Sequence, residues 1–195
     1  MFIIVGLGNP GTEYEGTRHS AGRSALISFA KKNGFSDWKE DGKLKALVAT
    51  GKLGKEKVTF LLPNNFMNNS GKSVAPLITS KKKVGDLIVF HDDLDIAVGK
   101  MKISFNKSSG GHRGLESIIK NIKSQEFLRF RIGICPHSPT GKLKKPAGEE
   151  AILDFLMKKF KDPEILELKK VFKKAGEGLE VAVNESKDKA MSQYN

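Results

Sequence analysis

The chain opens with MFIIVGLGNPGTEYEGTRHSAGRSALISFAKK at residues 1–32, and this stretch sets the expected fold class. Residues 2–7 are a short apolar run that ends at Gly8, which predicts a buried β-strand. Residues 21–32 place their apolar side chains at helical spacing, so a helix is expected after a polar loop. A strand, a loop and a helix in this order are typical of the first unit of an α/β protein.

The remainder of the chain continues this alternation. Apolar runs predict further strands at residues 44–53, 58–62, 86–91, 100–105 and 130–135. Helical patterns follow at residues 70–79, 114–122, 149–158 and 163–184. The expected fold is therefore α/β, a single globular domain over residues 1–195 with a mixed, mostly parallel twisted sheet flanked by helices. Residues 136–148 are expected to form a mobile surface loop, and residues 185–195 a tail prone to fraying.

The composition, 38% hydrophobic and 29% charged, is that of an ordinary soluble globular protein. The apolar runs are shorter than the roughly 18 residues that span a bilayer. The first residues lack the basic start of a signal peptide. The lone cysteine, Cys135, cannot form an internal disulfide. Together these features predict a cytoplasmic protein without a membrane partner.

The charge balance indicates a class of partner. Thirty-four Lys and Arg residues against 22 acidic residues give a formal net charge of +12. Such an excess favours polyanions such as nucleic acid, because binding releases condensed counterions. A lysine-rich proteome would produce the same surface without any such partner. Charge alone therefore leaves the partner open.

The segment Gly6-Leu7-Gly8-Asn9-Pro10-Gly11 matches the G-x-G-x-x-G fingerprint of dinucleotide-binding proteins. In that fingerprint the glycines open a helix whose N–H groups hold the pyrophosphate. Here Pro10 removes one donor, and Lys31-Lys32-Asn33 stands where an acid should meet the ribose. We therefore do not interpret the motif as a nucleotide site. A thermal shift with NAD would test that alternative.

Four polar segments lie where open α/β sheets bind their ligands, after predicted strands or before a helix. They are residues 9–19, 66–72, 91–95 and 109–115. They supply histidine, carboxylate and carboxamide groups. A histidine held by an aspartate can take a proton from water near neutral pH, and Asn side chains can stabilise an oxyanion.

Each of these groups also has a simpler explanation. A histidine at a helix start is more often a cap or surface residue than a base. Asp92, Asp93 and Asp95 are equally suited to caps or to a magnesium site, although no second acidic cluster stands out. The four histidines lie too far apart in sequence to suggest a zinc site, so no metal is expected. The motif Gly-x-Ser-x-Gly is absent and Cys135 lies in an apolar strand, which favours direct attack by water over a covalent intermediate.

Taken together, the segments resemble the signature of bacterial-type peptidyl-tRNA hydrolases. The matching blocks are GLGNPG-x-x-Y-x-x-TRH at residues 6–19, FMNNSGK at 66–72, HDDLD at 91–95, GGHRGLESI at 110–118 and RFRIGI at 129–134. The resemblance spans nearly the whole chain. It implies a monomeric, metal-independent and cofactor-free enzyme of translation, a hydrolase that binds peptidyl-tRNA. Such an enzyme cuts the ester between the peptide and the tRNA 3′ end.

The resemblance also implies roles for individual residues. His19 would be the general base, Asp92 its partner, and Asn9 the group that distinguishes a blocked from a free α-amino group. Asn68 and Met67 would bind the substrate near the ester, with Tyr14 and Phe66 lining the site. The residues implied in holding the tRNA are Gly110, Gly111, Arg113, Lys102 and Arg131, of which the last two would clamp the 5′ phosphate.

Two positions depart from the family pattern. Arg113 and Ser20 stand where family members often have Asn, which puts a carboxamide role at position 113 in doubt. A non-catalytic RNA-binding protein on the same scaffold explains the charge equally well. It gives no reason for the combination of His19, Asp92 and Asn9.

Overall fold

The computed structural model describes residues 1–35 and 37–195. Its strands form one sheet in the order β2-β3-β4-β1-β5-β7-β6. The strands are β1 (Phe2–Gly6), β2 (Lys39–Asp41), β3 (Ala46–Leu53), β4 (Glu56–Pro63), β5 (Leu87–Ala97), β6 (Met101–Phe105) and β7 (Leu128–Cys135). The helices are α1 (Ala21–Lys32), α2 (Ser70–Val74), α3 (Lys81–Gly85), α4 (Arg113–Ile122), α5 (Glu149–Met157), α6 (Asp162–Asn184) and α7 (Lys187–Tyr194).

The centre of the sheet is parallel and its edges are antiparallel. Strand β1 pairs in parallel with β4 and β5, and β5 pairs in parallel with β7. Strands β2, β3 and β6 complete the sheet in antiparallel pairs. The central strands are continuous apolar runs because helices cover both of their faces. The predicted α/β class, with a mixed sheet flanked by helices, is confirmed.

Two hydrophobic clusters fill the space between the sheet and its helices. One cluster packs Phe60, Phe90 and Phe130 of the sheet against α1 and α6. The other packs Val5 and Val89 against α2 and α4. Alternate residues of each central strand therefore serve opposite layers, as the two-residue period of a strand requires.

Helix α1 packs unusually close to β5 at Gly22. A Cβ atom at this position would overlap the backbone carbonyl of Phe90. The missing side chain lets the start of α1 approach the carboxyl end of β5. This contact brings the residues just before α1 close to the acids that follow Phe90 in β5.

Several elements differ from the prediction, and helix α3 at Lys81–Gly85 was not predicted at all. Strand β5 runs on to Ala97, with a register shift against β7 after Asp93, so the acids lie within the strand rather than after it. The helix expected at residues 70–79 is α2 followed by a 3₁₀ turn at Ala75–Leu77, because Pro76 lacks the N–H that would continue an α-helix. The short edge strand β2 has no counterpart among the predicted strands.

The last residues form helix α7, and the expected fraying of this tail stays a prediction. Ser186 caps α7 by accepting a hydrogen bond from the Lys189 N–H, and Ala190 is fully buried. The Asn195 carboxamide accepts from the Ile103 N–H and donates to the Ile103 carbonyl. Helix α7 is therefore anchored on the edge strand β6. Residues 136–148 hold an isolated bridge between His137 and Leu143, and their mobility stays a prediction.

Among the described residues, every helix is too short or too polar to cross a lipid bilayer.

Candidate active site

The structure places His19 beside Asp92 at the carboxyl edge of the sheet. His19 lies in a 3₁₀ turn, Arg18–Ser20, that leads into α1. Its Nδ1 atom lies 3.1 Å from both carboxylate oxygens of Asp92, and both side chains are buried. An ionised carboxylate only accepts hydrogen bonds, so Nδ1 carries the proton. The other ring nitrogen, Nε2, is then free to act as a base.

Asp92 has a second imidazole partner that the sequence did not assign. The Nε2 atom of His112 lies 3.0 Å from Asp92 Oδ1, while its Nδ1 atom accepts hydrogen bonds from the N–H groups of Gly114 and Leu115. His112 therefore caps helix α4 with one nitrogen and donates to the carboxylate with the other. Histidine is an uncommon helix cap, so the usual Ser, Thr, Asp or Asn signal was missing.

These contacts set the charge states of Asp92 and His19. Burial alone would raise the pKa of Asp92, but the adjacent His19 and His112 outweigh it and hold that pKa far below its usual range. Burial would lower the pKa of His19, but the charge and hydrogen bond of Asp92 raise it above the ordinary value against a smaller opposing effect of Arg113. The site thus contains a stable carboxylate and a histidine that is a stronger base than usual.

A third histidine adjoins the site on the opposite face of β5. The His91 side chain is buried, and its Nδ1 atom donates a hydrogen bond to the Asp92 carbonyl at 2.7 Å. Burial, followed by the proximity of His112, lowers the pKa of His91 to about 3. His91 is consequently neutral at physiological pH.

Histidines that are far apart in sequence meet in the fold, so their separation does not exclude a metal site as expected. Ligand atoms of His19, Asp92 and His112 all lie within 4.8 Å of one another, a set that could hold a divalent ion. Both imidazoles direct an N–H at the carboxylate, so an ion would have to displace two protons. That the chain needs no metal stays a prediction.

Asn9 and the segment after β4 form a second part of the site. The Asn9 Oδ1 atom accepts a hydrogen bond from the Met67 N–H at 2.9 Å, and this fixes the orientation of the carboxamide. The Met67 side chain is buried in the core, so its contribution to the site is through its backbone. Asn68 is exposed beside it. Phe66, 60% exposed, meets the ring of Tyr14 edge-on with centroids 6.5 Å apart.

A cavity of about 760 Å³ adjoins His19. From the predicted site residues it is lined by His19, Asp92, Gly110, Gly111, Arg113 and Arg131. Helix α5 forms one wall through Ile152, Leu153 and Leu156. Gly110 and Gly111 both have positive φ and carry no side chain into the opening, which leaves backbone exposed there.

Three ion pairs surround this cavity. Arg113 donates to Glu149 at 2.7 Å, from the first residue of α4 to the first residue of α5. Lys145 donates to Asp95. Arg131 donates through Nε to Asp93 at 2.8 Å. Thus Asp92, Asp93 and Asp95 face three different sets of partners and do not converge on one point.

Lys102 and Arg131 lie opposite one another in the antiparallel pair of β6 and β7. Opposite residues of such a pair share one face of the sheet, so the two cations are neighbours. Lys102 is exposed and lies outside the cavity, whereas Arg131 lines it. The pair therefore places one cation in the cavity and a second, exposed one beside it towards the β6 edge.

The glycine-rich loop after β1 is not followed by a helix. Gly11 has a φ of 107°, a short 3₁₀ turn comes next at Thr12–Tyr14, and α1 begins only at Ala21. The helix terminus that would hold a pyrophosphate is therefore displaced from the loop. The Cys135 thiol is buried, and burial raises its pKa, which makes it a poor nucleophile.

Fold and site together define an α/β protein of the class in which a carboxylate orients a histidine for proton transfer at the carboxyl edge of a parallel sheet. The family model described as peptidyl-tRNA hydrolase matches residues 3–195. The chain belongs to the peptidyl-tRNA hydrolase family.

Individual relatives agree over the full length. The chain is 39% identical over 197 residues to the peptidyl-tRNA hydrolase of Mycoplasma capricolum, with both proteins covered completely. It is 39% identical over 196 residues to that of Carboxydothermus hydrogenoformans, covering 100% of this chain and 98% of the relative. The crystal structure of peptidyl-tRNA hydrolase from Acinetobacter baumannii superposes with a TM-score of 0.88 at 32% identity, covering 100% of this chain and 94% of that one.

Proposed function

We propose that this chain hydrolyses the ester between a peptide and the 3′ end of tRNA, and that His19 is the general base of the reaction. Membership of the peptidyl-tRNA hydrolase family supports the reaction. The observation that carries the residue assignment is the contact between His19 Nδ1 and both oxygens of Asp92. It leaves Nε2 as the basic nitrogen of a histidine that lines the cavity.

The reaction follows from this arrangement. His19 Nε2 takes a proton from a water molecule while the water oxygen bonds to the ester carbonyl carbon. Asp92 stabilises the imidazolium that forms. When the carbon–oxygen bond to the ribose breaks, the imidazolium returns the proton to the ribose oxygen. The products are a tRNA with a 3′ hydroxyl group and a peptide carboxylic acid, which releases its remaining proton to solvent and leaves as the carboxylate.

Asn9 is suited to recognising a blocked α-amino group. Its Oδ1 atom is engaged by the Met67 N–H, so its Nδ2 hydrogens face outward as donors. The carbonyl that acylates the α-nitrogen of a peptide can accept from them. An unblocked aminoacyl group has no such carbonyl, and leaving the donor unpaired costs about 1–3 kcal/mol. Asn68, which follows Met67 in the chain, would bind near the ester, and the rings of Tyr14 and Phe66 would contact the substrate.

Cationic and backbone groups around the cavity are suited to the tRNA. Lys102 and Arg131 would hold the 5′ phosphate, Arg in a bidentate manner and Lys as a point charge. Arg113 would contact the RNA backbone, and the open loop at Gly110 and Gly111 would let the strand approach closely. Lysines on and before α6 offer a further positive face, formed by Lys158, Lys159, Lys161, Lys169, Lys170, Lys173 and Lys174.

We further propose that residues 1–195 act as a single cytoplasmic domain, as a monomer and without metal or cofactor. Full activity in the presence of a chelator would support the last point. The competing proposal is a non-catalytic RNA-binding protein. It is separated from ours by measuring peptide release from purified peptidyl-tRNA, with unblocked aminoacyl-tRNA as the control substrate.

The decisive experiment replaces His19 by alanine. We expect peptide release to fall by about 10²–10⁴-fold, because the base is lost while the binding groups remain. The matched control is His137→Ala, since His137 is an exposed histidine in the 136–148 loop. Near-complete activity of a folded His19→Ala protein would refute the assignment.

A further inference from the structure

Arg18, the residue before His19, is a buried cation. It is only 4% exposed, and burying an unpaired guanidinium would be very unfavourable. Its Nη2 atom donates to both carboxylate oxygens of Glu164, at 2.9 and 2.7 Å. Its Nη1 atom donates to the Ile134 carbonyl at 3.0 Å. One side chain therefore joins the start of α6 to the end of β7.

The same guanidinium lies between two aromatic rings. Its carbon is 4.6 Å from the ring centre of Phe155, near the end of α5, and 4.7 Å from that of Phe160, in the connection between α5 and α6. Arginine stacks favourably on such rings, more so in a desolvated position. Arg18 is thus held on several sides by groups from the C-terminal third of the chain.

The backbone repeats this connection. The Arg18 N–H donates to the Lys158 carbonyl at 3.0 Å, and the Phe160 N–H donates to the Gly16 carbonyl at 3.2 Å. An isolated β-bridge joins Thr17 to Lys159 between them. The turn that carries His19 and the segment that ends α5 are therefore fixed to one another. These contacts involve none of the groups assigned to the chemical step.

Helix α5 forms one wall of the cavity that His19 also lines. It contributes Ile152, Leu153 and Leu156 to the lining. Its first residue, Glu149, pairs with Arg113 on the opposite rim, but both side chains are largely exposed and such pairs contribute little. The end of α5 at Arg18 is by contrast buried. The Arg18 side chain thus fixes the position of α5 relative to His19, together with the backbone bonds at Lys158 and Phe160 and the packing of the buried Leu156.

We infer that Arg18 is a positioning residue: it holds helix α5 at a fixed distance from the His19 imidazole, so that an ester lying against α5 meets the water that His19 activates. This inference rests on the proposed function. Misplacing the reacting carbon by a fraction of an ångström lowers the rate of the chemical step more than it weakens binding. Arg18 acts through His19 and α5 and does not touch the substrate itself.

The test is Arg18→Ala, assayed with and without guanidinium chloride at concentrations well below those that unfold the protein. We expect kcat to fall by about 10–100-fold, while KM for peptidyl-tRNA stays within about twofold. The substitution leaves a slot between Phe155, Phe160 and Glu164 that matches a guanidinium ion. Guanidinium should therefore raise the kcat of Arg18→Ala several-fold, and sodium chloride at equal ionic strength should not.

A gentler variant covers the case in which Arg18→Ala fails to fold. Phe155→Leu removes one stacking ring and should lower kcat several-fold with little change in KM. Its control, Phe35→Leu, removes a ring that packs on Phe60, in the core at a distance from Arg18. The control should lower the melting temperature and leave kcat of the folded protein unchanged. Equal kcat in both Phe variants and the parent, or loss of stability alone, would overturn the inference.

A second readout separates this inference from the proposed function. NMR titration of the His19 imidazole, which faces Asp92, His112 and Arg113, reports the alignment of the His19–Asp92 pair without any substrate. In Arg18→Ala the pKa of His19 should move down towards its ordinary value, and guanidinium should reverse the change. An inactive parent protein would refute the proposed function alone. An unchanged His19 titration in Arg18→Ala, together with an unchanged kcat where the parent is active, would refute the positioning role.

Discussion

Asp92 shows how a single residue sets the chemistry of the site. Its carboxylate accepts from His19 and from His112, and the two imidazole rings lie 5.1 Å apart between centroids. Because His112 also caps α4, the Asp92 carboxylate is linked to helix α4 as well as to the His19 side chain. The orientation of His19 therefore depends on a group that is itself fixed from two directions.

The pH dependence of the rate should report this arrangement. The raised pKa of His19 means that the base stays protonated, and inactive, until the pH exceeds that raised value. Asp92→Asn removes the charge that raises it, so the acidic limb of the kcat/KM profile should move to lower pH. The plateau should also fall by about 10²–10⁴-fold as proton transfer becomes inefficient. An acidic limb that moves to higher pH would contradict the pairing.

Arg113 allows the opposite shift. Its positive charge lowers the pKa of His19, so Arg113→Asn, which removes the charge and keeps a polar side chain, should raise that pKa further. The acidic limb should then move to higher pH. Lys120→Gln, which removes a cation from the last turn of the same helix, is the control and should leave the profile in place. Coincident profiles for parent and Arg113→Asn would show that this cation does not act on the base.

At this scale the sequence predicted the residue types better than their partners. The position of polar segments next to predicted strands pointed to the regions of the site, and the resemblance to peptidyl-tRNA hydrolases then singled out His19, Asp92 and Asn9 within them. The role of His112 was missed because nothing in the sequence marks a histidine as a helix cap that also bonds a distant carboxylate. Met67 was expected in the binding surface, but its apolar side chain packs in the core and only its N–H reaches Asn9.

Among the elements, the contact of α1 with β5 matters most for the site. The sequence predicted both elements from their periodicity, and the bounds of α1 were correct. It did not reveal their close approach at Gly22, because a glycine within a helix is only a weak signal of packing. The length of β5 was underestimated since its acids interrupt the apolar pattern. Helix α7 escaped prediction because it is short and mostly polar.

Gly22→Ala should separate the two elements. The added methyl group would overlap the Phe90 carbonyl, so α1 would have to move away from β5 and draw His19 from Asp92. We expect the free energy of unfolding to fall by about 1–3 kcal/mol and the kcat of the remaining folded protein to fall as well. Chemical denaturation and turnover at saturation measure the two effects.

The control for this prediction is Gly85→Ala at the end of α3, where an added methyl group meets nothing within 4 Å. It should leave both the stability and the rate close to those of the parent. A Gly22→Ala protein that behaves like this control would mean that α1 can adjust without moving the histidine.

For the molecule as a whole, His91 should make stability depend on pH. Its pKa is about 3 in the fold and 6.5 in the unfolded chain, so between these values only the unfolded chain takes up the proton. Stability from this group is thus complete above pH 6.5 and falls on acidification, by up to about 1.4 kcal/mol per pH unit. Asp92, whose pKa is lowered from 3.8, adds a loss of stability only below about pH 3.8. His19, whose pKa is raised, has the opposite effect, because its contribution to stability is lost as the pH rises.

Urea unfolding between about pH 4.5 and 7 would isolate this contribution. His91→Asn keeps a donor for the Asp92 carbonyl but cannot titrate, so its stability should fall less steeply on acidification than that of the parent. Parallel curves for the two proteins would contradict the neutral buried state of His91.

The distribution of charge over the molecule predicts a salt effect on tRNA binding. Lys173 and Lys174 are exposed on α6, in the layer that also contains α1. If they bind the RNA, Lys173→Gln with Lys174→Gln should reduce the slope of log KM against log salt by roughly 0.7–0.9 for each phosphate that is no longer neutralised. The control pair, Lys81→Gln with Lys82→Gln, removes equal charge from α3 in the opposite layer. If the α6 and α3 double variants show the same slope of log KM against log salt, the α6 lysines contribute to solubility and not to tRNA binding.

The pairing of Asn195 with Ile103 has a consequence for behaviour at high concentration. Strand β6 ends the sheet, and the free N–H and C=O groups of an edge strand can recruit another extended chain. The side-chain carboxamide of Asn195 bonds to one such pair, the N–H and C=O of Ile103, as one residue of an added strand would. Loss of the Asn195 contact should therefore be detected first as an increase in light scattering, because folded molecules would associate through their β6 edges. This increase should precede any change in turnover.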